Sequence, residues 1–182
     1  ASMPRRGLQP DVISCSAAIS VCEKSAQWRC ALALLGSMGE LRVAPDVISC
    51  NAVISACEKG ALWQHALALL SSMPDLHLMP DLISFSAAMS ACEKGGQWQR
   101  ALELLGSMLG RGILPDVISL SAAISACEKV AQWREALVLF NSMRVLRLAS
   151  NVVSCNAAIS ACERGGQWVA ALAIFDEMAP TG

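Results

Sequence analysis

The chain has 182 residues, a formal net charge of -1 and 54% hydrophobic residues. Although this composition is apolar, charged residues recur too often to leave the run of about 20 apolar residues that a membrane-spanning helix needs, so no membrane span is expected. The balanced charge also lacks the strong positive excess that is typical of nucleic-acid-binding domains.

One string recurs along the chain at a fixed interval. Close copies of PDVISCNAVISACEKG, which runs from Pro45 to Gly60, begin 35 residues before it and at three further intervals of 35 residues after it. There is no insertion or deletion between copies. In chain order, this period defines the tail of a preceding repeat, four whole repeats and a truncated fifth: 1–11, 12–46, 47–81, 82–116, 117–151 and 152–182.

Each repeat is predicted to form two helices, as the second repeat illustrates. Its first helix should begin after Asp46, a residue type that caps helix N-termini, and should end at Gly60. Five residues at helical spacing give this helix one apolar stripe: Val47, Cys50, Val53, Ile54 and Cys57. A second helix should begin near Trp63, with a stripe of Trp63, Ala66, Leu67, Leu70 and Met73.

Helices of about a dozen residues are marginal in isolation. Each must bury its stripe against its partner helix and against the next repeat, so we predict an all-α fold, a right-handed α-solenoid of stacked helix-turn-helix repeats. Because no polar capping repeat is present, end-to-end self-association is also expected. The tryptophans that begin the second helices are assigned to the core: Trp28, Trp63, Trp98, Trp133 and Trp168.

The nine cysteines are predicted to be small core residues with free thiols. Packed helix axes lie about 8–10 Å apart, which exceeds the Cα separation of about 7 Å that a disulfide tolerates. Free thiols indicate a reducing, intracellular compartment. There is no CxxC motif, and neither histidine recurs between repeats, so no zinc site and no other cofactor is expected.

A second face of the first helix repeats a polar pattern. At about 100° per residue, Ile48, Asn51, Ser55 and Lys59 form one line, and stacking would place five such lines side by side. An ordinary solvated face would explain the cations, which favour a helix C-terminus. It would not explain five exposed β-branched side chains, between which a flat group could insert. The aliphatic row is Ile13, Ile48, Ile83, Ile118 and Val153; the hydrogen-bonding row is Ser16, Asn51, Ser86, Ser121 and Asn156; the cationic row is Lys24, Lys59, Lys94, Lys129 and Arg164.

The repeat resembles the pentatricopeptide repeat. The resemblance rests on the 35-residue period, the opening Val47…Asn51…Ile54, the second helix with Ala66-Leu67 and Met73, and the ending Pro80-Asp81. It covers residues 12–182. The repeated tryptophan, and Ser150-Asn151 in place of Pro-Asp, depart from the family pattern. Tetratricopeptide repeats fit less well because their period is about 34 residues.

The resemblance implies binding of single-stranded RNA, with one base per repeat. In the family, the fifth and last residues of a repeat select the base, and we expect them to lie side by side across the stacked helices. Ser with Asp resembles a guanine reader, Asn with Asp a uracil reader that tolerates cytosine, and Ser with Asn an adenine reader, which implies the core 5′-GUGA-pyrimidine-3′. The pairs are Ser16 with Asp46, Asn51 with Asp81, Ser86 with Asp116 and Ser121 with Asn151, while Asn156 lacks its partner.

By the same resemblance, the aliphatic row would sandwich the bases and the cationic row would contact phosphates. The alternative is an α-solenoid scaffold for protein–protein interaction, which the low net charge would suit. No enzyme and no small-molecule substrate is expected, because the sequence has no paired carboxylates, metal-ligand motif or nucleophile–base pair. A role in RNA processing or expression in mitochondria or plastids is implied by the resemblance alone.

Overall fold

A computed structural model of the chain describes residues 9–178. Chain contacts divide it into two compact units, residues 1–91 and 92–182. Within residues 9–178 the secondary structure is ten α-helices and a 3-10 turn at Pro74–Leu76, and none of these helices is long and apolar enough to cross a bilayer. The helices are α1 Val12–Lys24, α2 Trp28–Glu40, α3 Val47–Lys59, α4 Trp63–Ser72, α5 Leu82–Lys94, α6 Trp98–Gly110, α7 Val117–Lys129, α8 Trp133–Val145, α9 Val152–Arg164 and α10 Trp168–Met178.

A reciprocal cap starts the first helix of each hairpin. At α3, the Asp46 side chain accepts a hydrogen bond from Ser49 N at 2.7 Å, and Ser49 Oγ accepts one from Asp46 N at 3.0 Å. Two backbone donors that lack a partner within the helix are satisfied in this way. The same capping box begins α1, α7 and α9, and Asn151 provides the cap at α9. The predicted start of the first helix after the Asp or Asn residue is confirmed.

The first helix of each repeat ends in a turn with one residue in the left-handed conformation. This residue is a glycine in some repeats and an alanine in others. Gly60 follows α3 as predicted, but its φ is -88°, and the left-handed residue is Ala61, with a φ of 53°. Ala61 N donates to Glu58 O at 3.0 Å and Leu62 N donates to Cys57 O at 2.9 Å. This pair of bonds is a Schellman motif, which satisfies two carbonyl groups at the helix end.

Packing, rather than backbone conformation, explains the glycine at position 60. A Cβ atom there would lie 2.8 Å from Trp28 Cδ1, and one at Gly165 would lie 2.3 Å from Trp133 Cδ1. These tryptophans therefore pack against the end of the first helix in the following hairpin. They lie at the edge of the core, contrary to their assignment to its interior: four are half-buried, and Trp168 is 70% exposed.

Each unit buries a core between stacked hairpins. In the first unit, α1 and α2 both pack against α3; in the second, α7 and α8 both pack against α9. Val53, Ile54 and Met73 have no exposed surface in the first unit. Their counterparts in the second unit, such as Ile124 and Met143, are equally buried. The predicted all-α fold of stacked helical hairpins is confirmed.

Seven of the nine cysteines belong to this core, and all nine are free thiols. The prediction that all nine are core residues is wrong for Cys22, which is half-buried, and for Cys30, which is exposed. Burial raises the pKa of the Cys57, Cys92 and Cys127 thiols to about 11. These thiols are protonated near neutral pH and are poor nucleophiles. Within residues 9–178, no group of three or more His, Cys, Asp or Glu side chains could hold a metal ion.

Replacing Gly165 with alanine should destabilise the second unit. The added Cβ would lie 2.4 Å from Trp133 Cγ and 2.9 Å from Trp133 Cβ, which is attached to the backbone of α8. Because the helices must move apart, we expect a loss of about 1–3 kcal/mol in the free energy of unfolding. Urea denaturation followed by circular dichroism measures it. The matched control is Gly106→Ala in α6, where a Cβ meets nothing within 4 Å; it should raise stability by up to about 1 kcal/mol. Equal midpoints for the two variants would contradict this account.

Candidate functional site

An exposed row of aliphatic side chains marks one side of the first helices. The five residues at the second helical position are between 59% and 74% exposed: Ile13, Ile48, Ile83, Ile118 and Val153. Each lies in the first turn, beside the capping box described above. The structure places all five in solvent, as the sequence predicts. Their apolar area would favour contact with another flat, apolar surface.

The hydrogen-bonding row is more deeply buried than a solvent-facing row would be. Ser16 and Asn51 are each 8% exposed, Ser86 is 7% exposed and Ser121 is 6% exposed. Asn156 is exposed. In the first unit, the N-terminal turns of α3 and α5 lie against Ser16 and Asn51 and cover them. Only an edge of these side chains remains accessible to a ligand.

Each of three predicted pairs is brought together by the stacking of hairpins. Asn51 Nδ2 donates to Asp81 Oδ1 at 3.0 Å. Ser16 Oγ lies 3.3 Å from Asp46 Oδ1, and Ser121 Oγ lies 3.4 Å from Asn151 Oδ1. The capping residue of one helix therefore also contacts the fifth residue of the preceding hairpin. The hydroxyl of Ser86 is buried and has no hydrogen-bond partner among the described residues.

Hydrogen bonds keep the Asp81 carboxylate ionised. Burial on its own would raise the pKa of Asp81, but hydrogen bonds from Ser84 N and from the Asn51 amide hold this pKa below its usual range. An ionised carboxylate only accepts hydrogen bonds. Near neutral pH, Asp81 therefore requires the nitrogen of the Asn51 amide, and not its oxygen, to face it.

The cations pair with glutamates of the preceding hairpin. Lys59 Nζ lies 2.5 Å from Glu23 Oε1 and donates to Glu23 O at 3.0 Å. Lys129 forms the same two contacts with Glu93. Arg164 pairs with Glu128 and also donates to carbonyl oxygens at the end of α7. Such contacts satisfy carbonyl groups at the end of a helix.

The glutamates are the residues that sequence reasoning missed. They occupy the position just before the cation in every repeat, so the sequence Glu-Lys or Glu-Arg recurs with the 35-residue period. This recurrence could have identified the glutamates from the sequence alone. A glutamate in every repeat compensates the charge of the cationic row, which is consistent with the net charge of -1. The capping serines, such as Ser49 and Ser84, were also missed, although they too recur in every repeat.

Comparison with known families gives matches along the chain. A family model described as "PPR repeat" matches residues 48–78, 83–113, 118–148 and 153–179. A second model, "Pentatricopeptide repeat domain", matches residues 1–59. Comparison with curated protein sequences finds no significant match.

Solved structures share the fold at low sequence identity. The maize pentatricopeptide repeat protein PPR10 is 18% identical with a TM-score of 0.78, and the match covers 96% of this chain and 25% of that one. PPR10 has also been solved with an 18-nt psaJ RNA element; that match has a TM-score of 0.77 at 18% identity and covers 94% of this chain and 25% of that one. The PPR domain of Arabidopsis thaliana protein-only RNase P 1, in complex with tRNA, is 13% identical with a TM-score of 0.77, over 88% of this chain and 84% of that one. This chain thus spans a quarter of the length of the maize protein.

Removing the cation of one ion pair should lower stability in a salt-dependent way. Lys129→Met removes the contacts with Glu93, and we expect the free energy of unfolding to fall by at most about 1 kcal/mol, because the pair is partly exposed. The loss should shrink at about 1 M NaCl, where the Debye length is about 3 Å. Thermal unfolding at two salt concentrations measures it.

The matched control for this prediction is Lys24→Met. Lys24 holds the same position in the first repeat and forms no ion pair or hydrogen bond with any residue from 9 to 178. The control removes the same charge, yet its effect should be smaller than that of Lys129→Met. A larger effect at Lys24, or one at Lys129 that does not depend on salt, would contradict the ion-pair explanation.

Proposed function

Since the chain belongs to the pentatricopeptide repeat family, we propose that it binds single-stranded RNA through the exposed face of its first helices, one base per repeat. The observation that carries this proposal is the juxtaposition of two features in the first, second and fourth hairpins. An exposed aliphatic side chain lies three positions before a polar residue that is bonded, or close, to the cap of the next helix. The aliphatic side chain would pack against the face of a base, and the polar residue would form hydrogen bonds with its edge.

The aliphatic row would hold the bases. A base that enters between Ile13 and Ile48, for example, buries apolar area on both of its faces, at about 25 cal/mol per Å². The edge of that base would then reach the accessible side of Ser16 and of Asp46. Because the fifth residues of the first four repeats are less than a tenth exposed, few hydrogen-bonding atoms face the base, which favours selection among bases.

The paired cations retain a donor for phosphate. An ammonium group carries three N–H donors, and Lys59 Nζ uses two of them on Glu23. Lys129 uses its donors on Glu93 in the same way. Its side chain is 38% exposed, so the third donor can meet a phosphate oxygen without breaking the pair. We extend the assignment of phosphate contact to the other members of the cationic row, which hold the same repeat position: Lys24, Lys59, Lys94, Lys129 and Arg164.

The proposed target core is 5′-GUGA-pyrimidine-3′. It follows from the fifth and last residues of each repeat, with Ser–Asp for G, Asn–Asp for U and Ser–Asn for A. Four or five bases give a small interface, so the affinity should be modest. The two solved neighbours, PPR10 and the RNase P 1 domain, were crystallised with an 18-nt RNA element and with tRNA, and they support RNA as the ligand class here.

A role in RNA processing or expression in mitochondria or plastids is part of the same proposal and rests on the family. The proposed activity is binding and not catalysis. End-to-end self-association of the chain and the absence of a small-molecule substrate stay predictions.

Salt dependence separates RNA from a protein partner. Five phosphate contacts predict a slope of about -3.5 for the logarithm of the association constant against the logarithm of the salt concentration, because each contact on a single strand contributes about 0.7. Fluorescence anisotropy with a labelled GUGA-containing RNA, from about 50 to 200 mM salt, measures the slope. A slope near zero would show that the glutamates keep the cations from phosphate, and would favour the scaffold function, in which a peptide occupies the same face.

An exchange of two residues tests the base assignment. Ser121→Asn together with Asn151→Asp should move the preference at the fourth base from A to U and leave the other three bases unchanged. The fold should tolerate both changes, because Asn51 occupies the equivalent buried position and Asp caps the equivalent helices. Competition binding with RNAs that differ only at the fourth base measures the shift. If the wild type binds a GUGA-containing RNA no better than a scrambled one, the base assignment is wrong, whatever the exchange does.

A further inference from the structure

The capping serine of the third hairpin uses its hydroxyl differently from its counterparts. At Ser49, Ser119 and Ser154 the hydroxyl donates to the backbone carbonyl of the N-cap residue, at 2.8, 3.0 and 2.9 Å. Ser84 Oγ instead lies 2.6 Å from Asn51 Oδ1 in the preceding hairpin, and 2.9 Å from Asp81 Oδ1. Ser84 has no exposed surface. This serine therefore contacts the residue that is proposed to read the second base.

Ser84 and Asp81 together define the orientation of the Asn51 amide. Asp81 Oδ1 accepts from Asn51 Nδ2 at 3.0 Å, and the Ser84 hydroxyl donates to Asn51 Oδ1 at 2.6 Å. If the amide turned over, its oxygen would face the Asp81 carboxylate and the donor bond from Ser84 would be lost. The oxygen is held toward the protein interior, and the second N–H of Nδ2 is the donor that these contacts leave unused.

The orientation matters because uracil and cytosine differ in the group beside ring position 3. Uracil presents the O4 acceptor there, and cytosine presents the N4 amino group, which is a donor. An Asn51 amide that offers an N–H matches uracil O4 and places a donor against cytosine N4. The opposite orientation would offer an oxygen and would favour cytosine.

We propose that Ser84 is a specificity-determining residue for the second base, which acts by holding the Asn51 amide with its nitrogen toward the base, so that uracil is preferred over cytosine. The inference rests on the proposed RNA-binding function. It adds a positioning residue to the two residues that are proposed to read the base, and this residue belongs to the following repeat. Asp81 still orients the amide when Ser84 is replaced, so Ser84 sets the strength of the preference and not its existence.

The test compares Ser84→Ala with Ser49→Ala. Ser49 is equally buried and makes the same capping box, but its hydroxyl bonds only to Asp46. Dissociation constants are measured for two RNAs that differ only at the second base, GUGA and GCGA followed by the same pyrimidine. We expect Ser84→Ala to reduce the uracil-to-cytosine preference about fivefold, the equilibrium factor of one ordinary hydrogen bond. Ser49→Ala should leave the preference unchanged, although both variants lose a similar amount of stability.

Two further variants keep the outcome interpretable. Ser84→Cys keeps the shape of the side chain, with a somewhat larger atom at its end, but supplies only a weak donor. It should therefore weaken the preference as Ser84→Ala does, even if the alanine variant does not fold. In an Asn51→Ser background, Ser84→Ala should not change the second-base preference, because no amide remains to be oriented.

The failures can be told apart. If the wild type prefers uracil and both Ser84 variants keep the full preference, or weaken all RNAs equally, the role of Ser84 is only structural and the inference is wrong. If the wild type binds RNA without discriminating uracil from cytosine, or does not bind RNA, the proposed base reading fails as well and the inference falls with it.

Discussion

The residue that caps each first helix is the constraint on which the arrangement depends. Asp46 satisfies backbone donors of α3 and, in the same position, lies beside Ser16 of the preceding hairpin. Asp81 does the same for the following helix and for Asn51. Since a good cap contributes about 1 kcal/mol to the free energy of unfolding, the capping hydrogen bonds hold this side chain in place. If this side chain also reads a base, as proposed, it is already held in position before any ligand binds.

Neighbouring hairpins are joined by interactions that repeat with the same period as the sequence. The tryptophan that begins a second helix packs on the glycine that follows the first helix of the next hairpin. The cation at the end of a first helix pairs with the glutamate at the end of the first helix of the preceding hairpin. These contacts recur in both units, and the stability of such a stack is close to a sum of nearest-neighbour terms. The cationic row therefore takes part in packing between hairpins, and under the proposed function it would also contact phosphate.

Under the proposed function, affinity for RNA and selection among bases would come from different side chains. The exposed aliphatic row, with Ile48 as its example, would offer contact area to any base. Selection would come from side chains such as Asn51, which are almost completely buried and are oriented by their own hydrogen bonds. A buried amide with fixed partners presents one donor and resists turning over, because an unpaired buried polar group is costly.

The sequence by itself determined the local structure. Residues within about one helical turn of each other determine the start of α3 after Asp46, the start of α4 at Trp63 and the solvent exposure of Ile48. The repeat period is read directly from the sequence, in which the copies recur every 35 residues. The tertiary structure decided the rest: the burial of Asn51, the pairing of Lys59 with Glu23, the need for Gly60 beside Trp28 and the contact of Ser84 with Asn51. These contacts join residues more than 30 positions apart. Their geometry depends on how closely one hairpin stacks on the next, and a periodic pattern of residue types does not specify that distance.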